Sequence, residues 1–263
     1  ELGDPTEVID QIRIGVIDGG YFTTGHMAYY NKKLNATMWP YMFVSFDHAK
    51  NAYKGRVGEY MKEMAAEGGF LVLDWLYYGF RNLSSNRPVN TVADIKGLKI
   101  RVPSERVNQL TMAAFGGVIQ TIAFNELYLA LSQNVVDGQE NPIATMDSAK
   151  VQEVNKNIAM IEYCFFTTGM VINPAKYKAW PANVQDIIKK ASAEAAEYER
   201  QIFVDDENKL IEKFKTEYKV NFTYPDKKEL QAAAKPAIDE LKKDYDAAFV
   251  TEWLDLIEKS KVG

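Results

Sequence analysis

Cysteine and histidine, which supply many metal ligands and nucleophiles, are almost absent from this chain. Its 263 residues include one cysteine, Cys164, and two histidines, His26 and His48. A single cysteine excludes an internal disulfide, which fits a reducing cytosol and equally a large periplasmic protein whose core is sufficient without one. The histidines are isolated from the neighbours that zinc spacing requires, and Cys164 lies in an apolar run typical of a buried thiol. We therefore expect no metal.

Sequence motifs of catalysis and cofactor binding are also missing. The chain contains no G-x-S-x-G nucleophile turn, no G-x-x-x-x-G-K-[ST] phosphate loop and no G-x-G-x-x-G dinucleotide turn. We predict a protein without a cofactor and without catalytic residues, although a missing motif does not by itself exclude an enzyme.

Clustered positive charge and long apolar runs are absent as well. The net charge is -5, and lysine and arginine are spread along the chain without a basic run. Neither nucleic acid nor an anionic membrane surface is therefore an expected partner. No apolar run approaches the ~20 residues needed to cross a bilayer, so membrane insertion is not expected. An anion site would have to be local, built by one or two arginines.

What the chain does contain is an alternation of helix and strand signals, typical of an α/β protein with largely parallel sheets. The longest helical pattern runs from residue 181 to about 218, with apolar residues at helical spacing. The chain length and the 47% hydrophobic content allow one large domain or two smaller ones. Shorter patterns predict helices over 6–14, 56–67 and 107–115, and strands over 70–76, 98–102, 121–124 and 169–173.

Arg101 is the first candidate binding residue. Alternation along residues 98–102 puts Lys99 and Arg101 on the side opposite the apolar residues, and Pro103 ends the strand. Ligands of open α/β sheets bind at the carboxyl ends of strands, and a guanidinium matches a carboxylate with two parallel hydrogen bonds. The alternative is a surface arginine paired with a nearby acidic side chain.

Arg81 is a second candidate of the same kind. It follows the apolar and aromatic run 71–80 and also lies just past the end of a strand. Trp75, Tyr77 and Tyr78 in this run could form a wall of a ligand pocket. In the alternative interpretation, these aromatic residues belong to the core and Arg81 faces solvent.

A third candidate lies in the polar segment 136–142. Asp137-Gly138 is a turn signal. The amide of Asn141, next to Glu140, offers two donors and one acceptor to a carboxylate or a hydroxyl. The alternative is a loop asparagine bonded to its own backbone.

Five sequence segments form a specific combination. They are LGD (2–4) with the helix after it, GFR (79–81), DIKGLKIRVP (94–103), AFNELYLAL (123–131) and VVDGQENP (135–142). In this order and spacing they resemble the substrate-binding proteins of tripartite ATP-independent periplasmic (TRAP) transporters, of the dicarboxylate-binding-protein type. The resemblance extends over essentially the whole chain and includes the long helix from Pro181.

The resemblance implies a periplasmic-binding-protein-like fold, in which two α/β domains enclose a cleft and a long helix spans both. Domain I would comprise residues 1–79 and 167–206, and domain II residues 80–166 and 207–263. Members of the family normally begin with a further strand and helix ahead of the Leu2-Gly3 turn. That unit is the expected missing part of domain I.

The resemblance also assigns roles to residues. Arg101 matches the arginine that pairs with the ligand carboxylate, and Arg81 matches a second arginine, expected to add charge and steer entry. Asn141 matches an asparagine that assists ligand binding, and we expect it to fix the ligand's orientation; Phe124 matches an aromatic residue of the cleft. The other substrate-binding residues that we predict are Tyr78, Trp75 and Glu140.

The implied function is that of a periplasmic protein that captures a small organic acid and delivers it to the membrane subunits of a TRAP transporter. A ligand sensor, or an enzyme acting on an organic acid in the same cleft, is the alternative. The sialic-acid branch has charged residues after the strand at Ile17-Asp18, where this chain has YFTTGH (21–26). A smaller or more apolar acid is therefore expected. Sugar acids, C4-dicarboxylates, 2-oxo and 2-hydroxy acids and aromatic acids all remain open.

Overall fold

The protein contains two β-sheets joined by strand crossings and by one long helix. The computed structural model describes residues 5–261, so the LGD segment (2–4) lies outside the described residues. The strands are β1 Gly19–Thr23, β2 Leu71–Phe80, β3 Asn82–Ser85, β4 Lys99–Val102, β5 Val118–Thr121, β6 Gly138–Asn141, β7 Asn157–Ala159, β8 Phe165–Ile172 and β9 Asn221–Thr223. The helices are α1 Pro5–Arg13, α2 Thr24–Met27, α3 Phe46–Lys54, α4 Arg56–Glu67, α5 Arg106–Ala114, α6 Leu127–Ser132, α7 Ile143–Ser148, α8 Val151–Val154, α9 Pro174–Ala179, α10 Ala182–Thr216, α11 Lys227–Lys242 and α12 Ala247–Lys259. Short 3₁₀ helices cover Lys32–Met38, Val92–Ile95 and Phe124–Glu126.

The two sheets differ in strand direction. The first has the order β1-β8-β2 and is antiparallel throughout. The second has the order β5-β4-β6-β3-β7-β9, with parallel pairs at both ends and β3 antiparallel to its two neighbours. The α/β class and the long helix are confirmed, but the expectation of largely parallel sheets is wrong. The reason is that β8 returns from the second sheet and inserts between β1 and β2, antiparallel to both.

Most predicted elements are present, with shifted ends. Helix α4 matches the prediction over 56–67 and buries one apolar face. Strands β2 and β8 are both longer than predicted, since both continue through aromatic residues toward the second sheet. The strand predicted over 121–124 is wrong, because β5 ends at Thr121 and Phe124 begins a 3₁₀ helix.

The chain passes between the sheets at two adjacent crossings. Arg81 is the residue between β2 and β3, and residues 160–164 lead back from β7 to β8. The two crossings pair with each other. The Arg81 amide donates to the Cys164 carbonyl at 2.9 Å, and the Tyr163 amide donates to the Arg81 carbonyl at 3.3 Å. Side chains at this point are therefore positioned by both sheets.

Helix α10 spans both sheets over 35 residues, as predicted. Its middle docks on β2, where Arg200 Nη1 donates to the Trp75 carbonyl at 3.0 Å. Its last turns reach the other side of the molecule, where Lys213 Nζ lies 3.0 Å from Asp147 of α7. The helix is thus a third connection between the two halves.

Helix α12 packs against helices of domain I, whereas we predicted it in domain II. It packs against α4, where the Tyr60 hydroxyl donates to Glu252 at 3.0 Å. The ring of His48 on α3 lies 3.2 Å from the Ile257 carbonyl. These contacts place α12 with the helices of domain I, so its assignment to domain II is corrected. The rest of the division into 1–79 plus 167–206 and 80–166 plus 207–263 stays a prediction.

Glu207 of α10 lies against the end of β2. A Cβ atom placed on Gly79 would lie 3.3 Å from Glu207 Oε2 and 2.9 Å from Phe203 Cζ. Gly79 also has a φ of +100°, which favours glycine. Burial, followed by the charge of Glu162, raises the pKa of Glu207 to about 7. This carboxyl group therefore titrates near neutral pH, at a contact between the long helix and the first sheet.

The raised pKa of Glu207 predicts a pH-dependent stability. Between the ordinary value of 4.5 and about 7, the folded protein keeps a proton that the unfolded chain has lost. The free energy of unfolding therefore falls as the pH rises through this window. We expect Glu207→Gln to raise the free energy of unfolding by about 1–2 kcal/mol more at pH 8 than at pH 5, since partial exposure weakens the effect.

Urea unfolding of wild type and variant at both pH values measures this difference. Glu194→Gln, exposed on the same helix, is the matched control and should keep the wild-type pH dependence. The same pH dependence in Glu207→Gln and wild type would contradict the prediction.

Candidate carboxylate-binding site

Arg101 is a buried guanidinium with an open edge. It lies in β4, is 3% exposed, and its Nε donates to the Ile122 carbonyl at 2.8 Å. Its Nη1 and Nη2 donate to none of the residues between 5 and 261, and no carboxylate of that range forms an ion pair with it. The Phe124 ring centroid lies 6.0 Å from Arg101 Cζ. A buried cation with two free terminal nitrogens can bind an external anion.

The electrostatic surroundings of Arg101 favour an added negative charge. Burial lowers its pKa, while Glu140 and Glu105 raise it and Arg81 lowers it further, so that the net change is downward. The guanidinium stays protonated all the same. Burial removes the water that stabilises the cation, and a bound carboxylate would stabilise it in place of that water.

Arg81 is already held by a carboxylate of the protein. Its Nε donates to Glu140 Oε2, and its Nη2 donates to Oε1 at 3.0 Å and to the Glu140 carbonyl at 2.6 Å. Both residues are buried, and the Phe166 ring centroid lies 4.7 Å from Arg81 Cζ. Burial alone would lower the pKa of Arg81, but the charge of Glu140 raises it above its ordinary value. Because Glu140 balances its charge, Arg81 is not suited to steering an anionic ligand into the site. Only its Nη1 is left to donate a hydrogen bond to a ligand.

Glu140 points away from the ligand site, contrary to our prediction. Alternation along β6 turns Asn141 to one face of the sheet and Glu140 to the other. There the fully buried carboxylate accepts from Asn108 Nδ2 at 3.0 Å and from the Tyr163 hydroxyl at 2.8 Å, in addition to Arg81. Glu140 is therefore the counter-ion that orients Arg81. Sequence analysis missed both Asn108 and Tyr163.

Asn141 lies on the same face of the second sheet as Arg101. Gln139, two residues before Asn141 on β6, pairs with Arg101 across the parallel β4–β6 ladder. Asn141 Nδ2 donates to Gln139 Oε1 at 2.6 Å, and Gln139 Nε2 donates to Ser84 Oγ at 3.0 Å. This chain fixes the Asn141 amide. Its Oδ1 and second N–H have no partner among the described residues and are available to a ligand.

The three aromatic candidates have different surroundings. Phe124 is 50% exposed beside Arg101, and Tyr78 lines a cavity of about 650 Å³. Trp75 is 0% exposed, and its Nε1 donates to the Gly58 carbonyl at 3.0 Å. Trp75 is therefore a core residue, and its predicted place in the pocket wall is corrected. Three residues of separation put Trp75 and Tyr78 on opposite faces of β2.

The cavity beside Tyr78 has a mostly apolar lining with one polar segment. Its lining residues are Pro5, Val8, Tyr21, Phe22, Thr23, His26, Leu76, Tyr78 and Thr168. Thr23 Oγ1 and His26 Nδ1 lie 2.9 Å apart. The two arginines do not line this cavity. The segment from Thr23 to His26 connects the two regions, because Gly25 within it faces Glu105, close to Arg101.

The described residues offer neither a metal-ligand cluster nor an activated thiol. Within 5–261, no three His, Cys, Asp or Glu side chains come together as metal ligands. Cys164 is buried, its Sγ donates to the Met38 carbonyl at 3.0 Å, and burial raises the pKa of the thiol well above its ordinary value. Such a thiol is a poor nucleophile. In the part of the chain that the structure describes, no helix has the length and apolar character needed to span a bilayer.

Fold and site together define a class of protein. Two sheets, joined by paired crossings and a long helix, hold a buried arginine with an open edge, a fixed amide and an exposed aromatic ring near their junction. This is the architecture of a two-lobed ligand-binding protein. The chain belongs to the bacterial extracellular solute-binding protein family 7, whose sequence profile matches residues 1–244.

Individual proteins that are similar to this chain are consistent with the family assignment. The sialic acid-binding periplasmic protein SiaP of Vibrio cholerae is 34% identical over 249 residues, 94% of this chain and 76% of that protein. The 2,3-diketo-L-gulonate-binding periplasmic protein YiaO of Escherichia coli is 31% identical over 215 residues, 81% of this chain and 66% of that protein. A solved TRAP periplasmic solute binding protein from Chromohalobacter salexigens, with bound D-glucuronate, has a TM-score of 0.90 at 26% identity and covers 99% of this chain and 85% of that one. The chain is a solute-binding protein and not an enzyme.

Proposed function

We propose that this chain binds a small organic acid by its carboxylate at Arg101 and presents it, in the periplasm, to the membrane subunits of a TRAP transporter. Arg101 donates from Nη1 and Nη2 to the two carboxylate oxygens, and Arg81 adds a bond from its Nη1. Asn141 fixes the orientation of the ligand. Phe124 and Tyr78 contact the remainder of the ligand.

The observation that carries this proposal is the open edge of Arg101. Removing a guanidinium from water costs several kcal/mol unless a counter-charge is present. Arg81 has that counter-charge in Glu140, whereas Arg101 has only the backbone carbonyl of Ile122 as a direct partner among the described residues. An acid from outside the protein supplies the missing charge.

Affinity requires more than this one pair. A micromolar site needs about 8 kcal/mol, and a hydrogen bond to a charged group contributes about 1.5–3 kcal/mol. Closure of the two sheets over the ligand excludes water and strengthens each polar contact. The paired crossings at Arg81 are suited to act as the hinge of such a closure.

The relatives support a sugar acid as the ligand class. Their names specify sialic acid and 2,3-diketo-L-gulonate, and the solved neighbour holds D-glucuronate. In this chain, the cavity wall YFTTGH (21–26) has no carboxylate, lysine or arginine. That wall favours an acid smaller or more apolar than a nine-carbon sialic acid.

The relatives also support the periplasm and the transporter as the setting. SiaP and YiaO are named as periplasmic proteins, and the solved neighbour is named as a TRAP periplasmic solute binding protein. A ligand sensor would use the same cleft, and binding of the purified chain to membranes containing its cognate transporter subunits would favour the transport role.

The first experiment is a thermal-shift screen with sugar acids, C4-dicarboxylates, 2-oxo and 2-hydroxy acids and aromatic acids. We expect a sugar acid to give the largest stabilisation, about 2.7 kcal/mol when present at 100 times its Kd. Arg101→Ala should abolish the effect. Mass spectrometry should recover the acid unchanged, as a carrier requires. Stabilisation by none of these acids, or chemical conversion of the bound acid, would contradict the proposal.

A further inference from the structure

Glu105 is a charged residue near Arg101 whose carboxylate lacks a donor. It is the N-cap residue of α5, but its side chain makes no capping hydrogen bond. Its Oε2 is buried and accepts no hydrogen bond from the residues that the structure describes, and no lysine or arginine of that set forms an ion pair with it. A buried carboxylate oxygen without a donor is costly. A donor from outside the protein would remove this cost.

Glu105 lies between the arginine and the cavity. It follows Arg101 by four residues, and its charge raises the pKa of that guanidinium. On the other side, Glu105 Oε1 lies 3.4 Å from the position of a Cβ placed on Gly25, and Thr23 Oγ1 lies 3.6 Å from the same position. The carboxylate thus reaches from the start of α5 to the Thr23–His26 segment at the end of β1 and in α2. A ligand anchored at Arg101 and extending into the cavity would pass beside it.

The two arginines of the site differ in how their charges are paired before any ligand binds. Glu140 balances Arg81 by direct contact, whereas Arg101 forms no ion pair with a described residue, and the charge of Glu105 acts on it only from a distance. One ligand carboxylate at Arg101 is therefore accommodated, while a second one would face the carboxylate of Glu105. A hydroxyl group at that place would instead donate to the free Oε2.

We infer that Glu105 determines ligand specificity: it selects monocarboxylates that carry a hydroxyl group along their carbon chain and rejects dicarboxylates. This inference rests on the proposed function of the site. The hydroxyl group donates to Glu105 Oε2, and a second carboxylate is repelled by it. At the effective dielectric of a partly buried site, such repulsion weakens binding by about tenfold or more.

Matched pairs of acids test this inference. D-gluconate and D-glucarate differ only in whether the last carbon is a hydroxymethyl or a carboxylate, and 4-hydroxybutyrate and succinate form a shorter pair. We expect titration calorimetry on wild type to show binding of at least one hydroxy acid, with its dicarboxylate partner about tenfold weaker or worse. In Glu105→Gln this ratio should approach one, mainly because the dicarboxylate binds better.

Glu126→Gln is the matched control, since Glu126 is an exposed carboxylate two residues from Phe124, and it should keep the wild-type ratio. Binding by Glu105→Gln with an unchanged ratio would overturn the role of Glu105 and leave the proposed function intact. If wild type bound none of the four acids, nor any acid of the wider screen, the proposed function would fail and the inference with it.

Discussion

Replacing Arg101 with lysine should weaken carboxylate binding by about 100-fold or more. The guanidinium offers two parallel donors, Nη1 and Nη2, from a buried plane that its Nε–Ile122 hydrogen bond orients. An ammonium is a single strongly hydrated point charge that cannot match both carboxylate oxygens from that plane. Titration calorimetry with the best acid of the screen measures the loss.

The same variant should fold with nearly unchanged stability. No carboxylate of the described residues forms an ion pair with Arg101, so we expect the free energy of unfolding of Arg101→Lys to stay within about 1 kcal/mol of wild type. Arg87→Lys, on the exposed surface after β3, controls for the general effect of an arginine-to-lysine change and should bind normally. If Arg101→Lys bound the acid with wild-type affinity, the proposed bidentate contact between the guanidinium and the carboxylate would be wrong.

Replacing Glu140 with glutamine should lower the free energy of unfolding by about 3–5 kcal/mol. The neutral amide leaves the buried guanidinium of Arg81 without its counter-charge. It also presents an N–H group in a place where donors of Arg81, Asn108 and Tyr163 already converge. Denaturant unfolding measures the loss, and ligand affinity should fall as well because Arg81 is no longer oriented.

A double variant separates the destabilisation caused by an unpaired Arg81 from the contribution of the Arg81–Glu140 ion pair to stability. Arg81→Met combined with Glu140→Leu removes both charges together, so we expect it to be more stable than Glu140→Gln alone. Glu126→Gln, an exposed carboxylate-to-amide change, should be nearly neutral. If Glu140→Gln were as stable as wild type, the buried pair would not hold the crossing together.

The fold could be predicted where its signals are local. Helix α4 has apolar residues at helical spacing and ends in two glycines, and the prediction over 56–67 matches it. Strand direction was predicted wrongly because β8 pairs with β1 and β2, and both partners lie far away in sequence. The position of α12 depends in the same way on α3 and α4, with which it makes contacts that no local pattern encodes.

The candidate site follows the same division. Arg101 lies in a strand, β4, just before Pro103, as the local alternation predicted, but its burial had no local signal and its role in ligand binding stays a prediction. Glu140 was misplaced because the segment ending in Asn141 was interpreted as a polar turn; as the strand β6 it turns alternate residues to opposite faces. Glu105 gave no signal at all, since its proximity to Gly25 of α2, far away in sequence, has no local pattern.

Four links between the two halves limit the degrees of freedom of the protein: the two paired crossings, α10, and the turn from α11, which packs on α5, to α12, which packs on α4. Two bodies joined by one flexible linker can rotate in every direction, but here paired crossings at Arg81 lie close together and α10 forms a separate rod of about 52 Å that docks on both sides. A translation of one half relative to the other, or a wide separation of the two halves, would break one of these attachments. We expect the remaining motion to be dominated by one coordinate, a rotation about the crossings with bending of the rod. With a single coordinate, a ligand that contacts both sheets shifts one equilibrium, the one between an open and a closed arrangement of the two halves. A receptor on the membrane could then distinguish the ligand-bound protein by the angle between the halves alone.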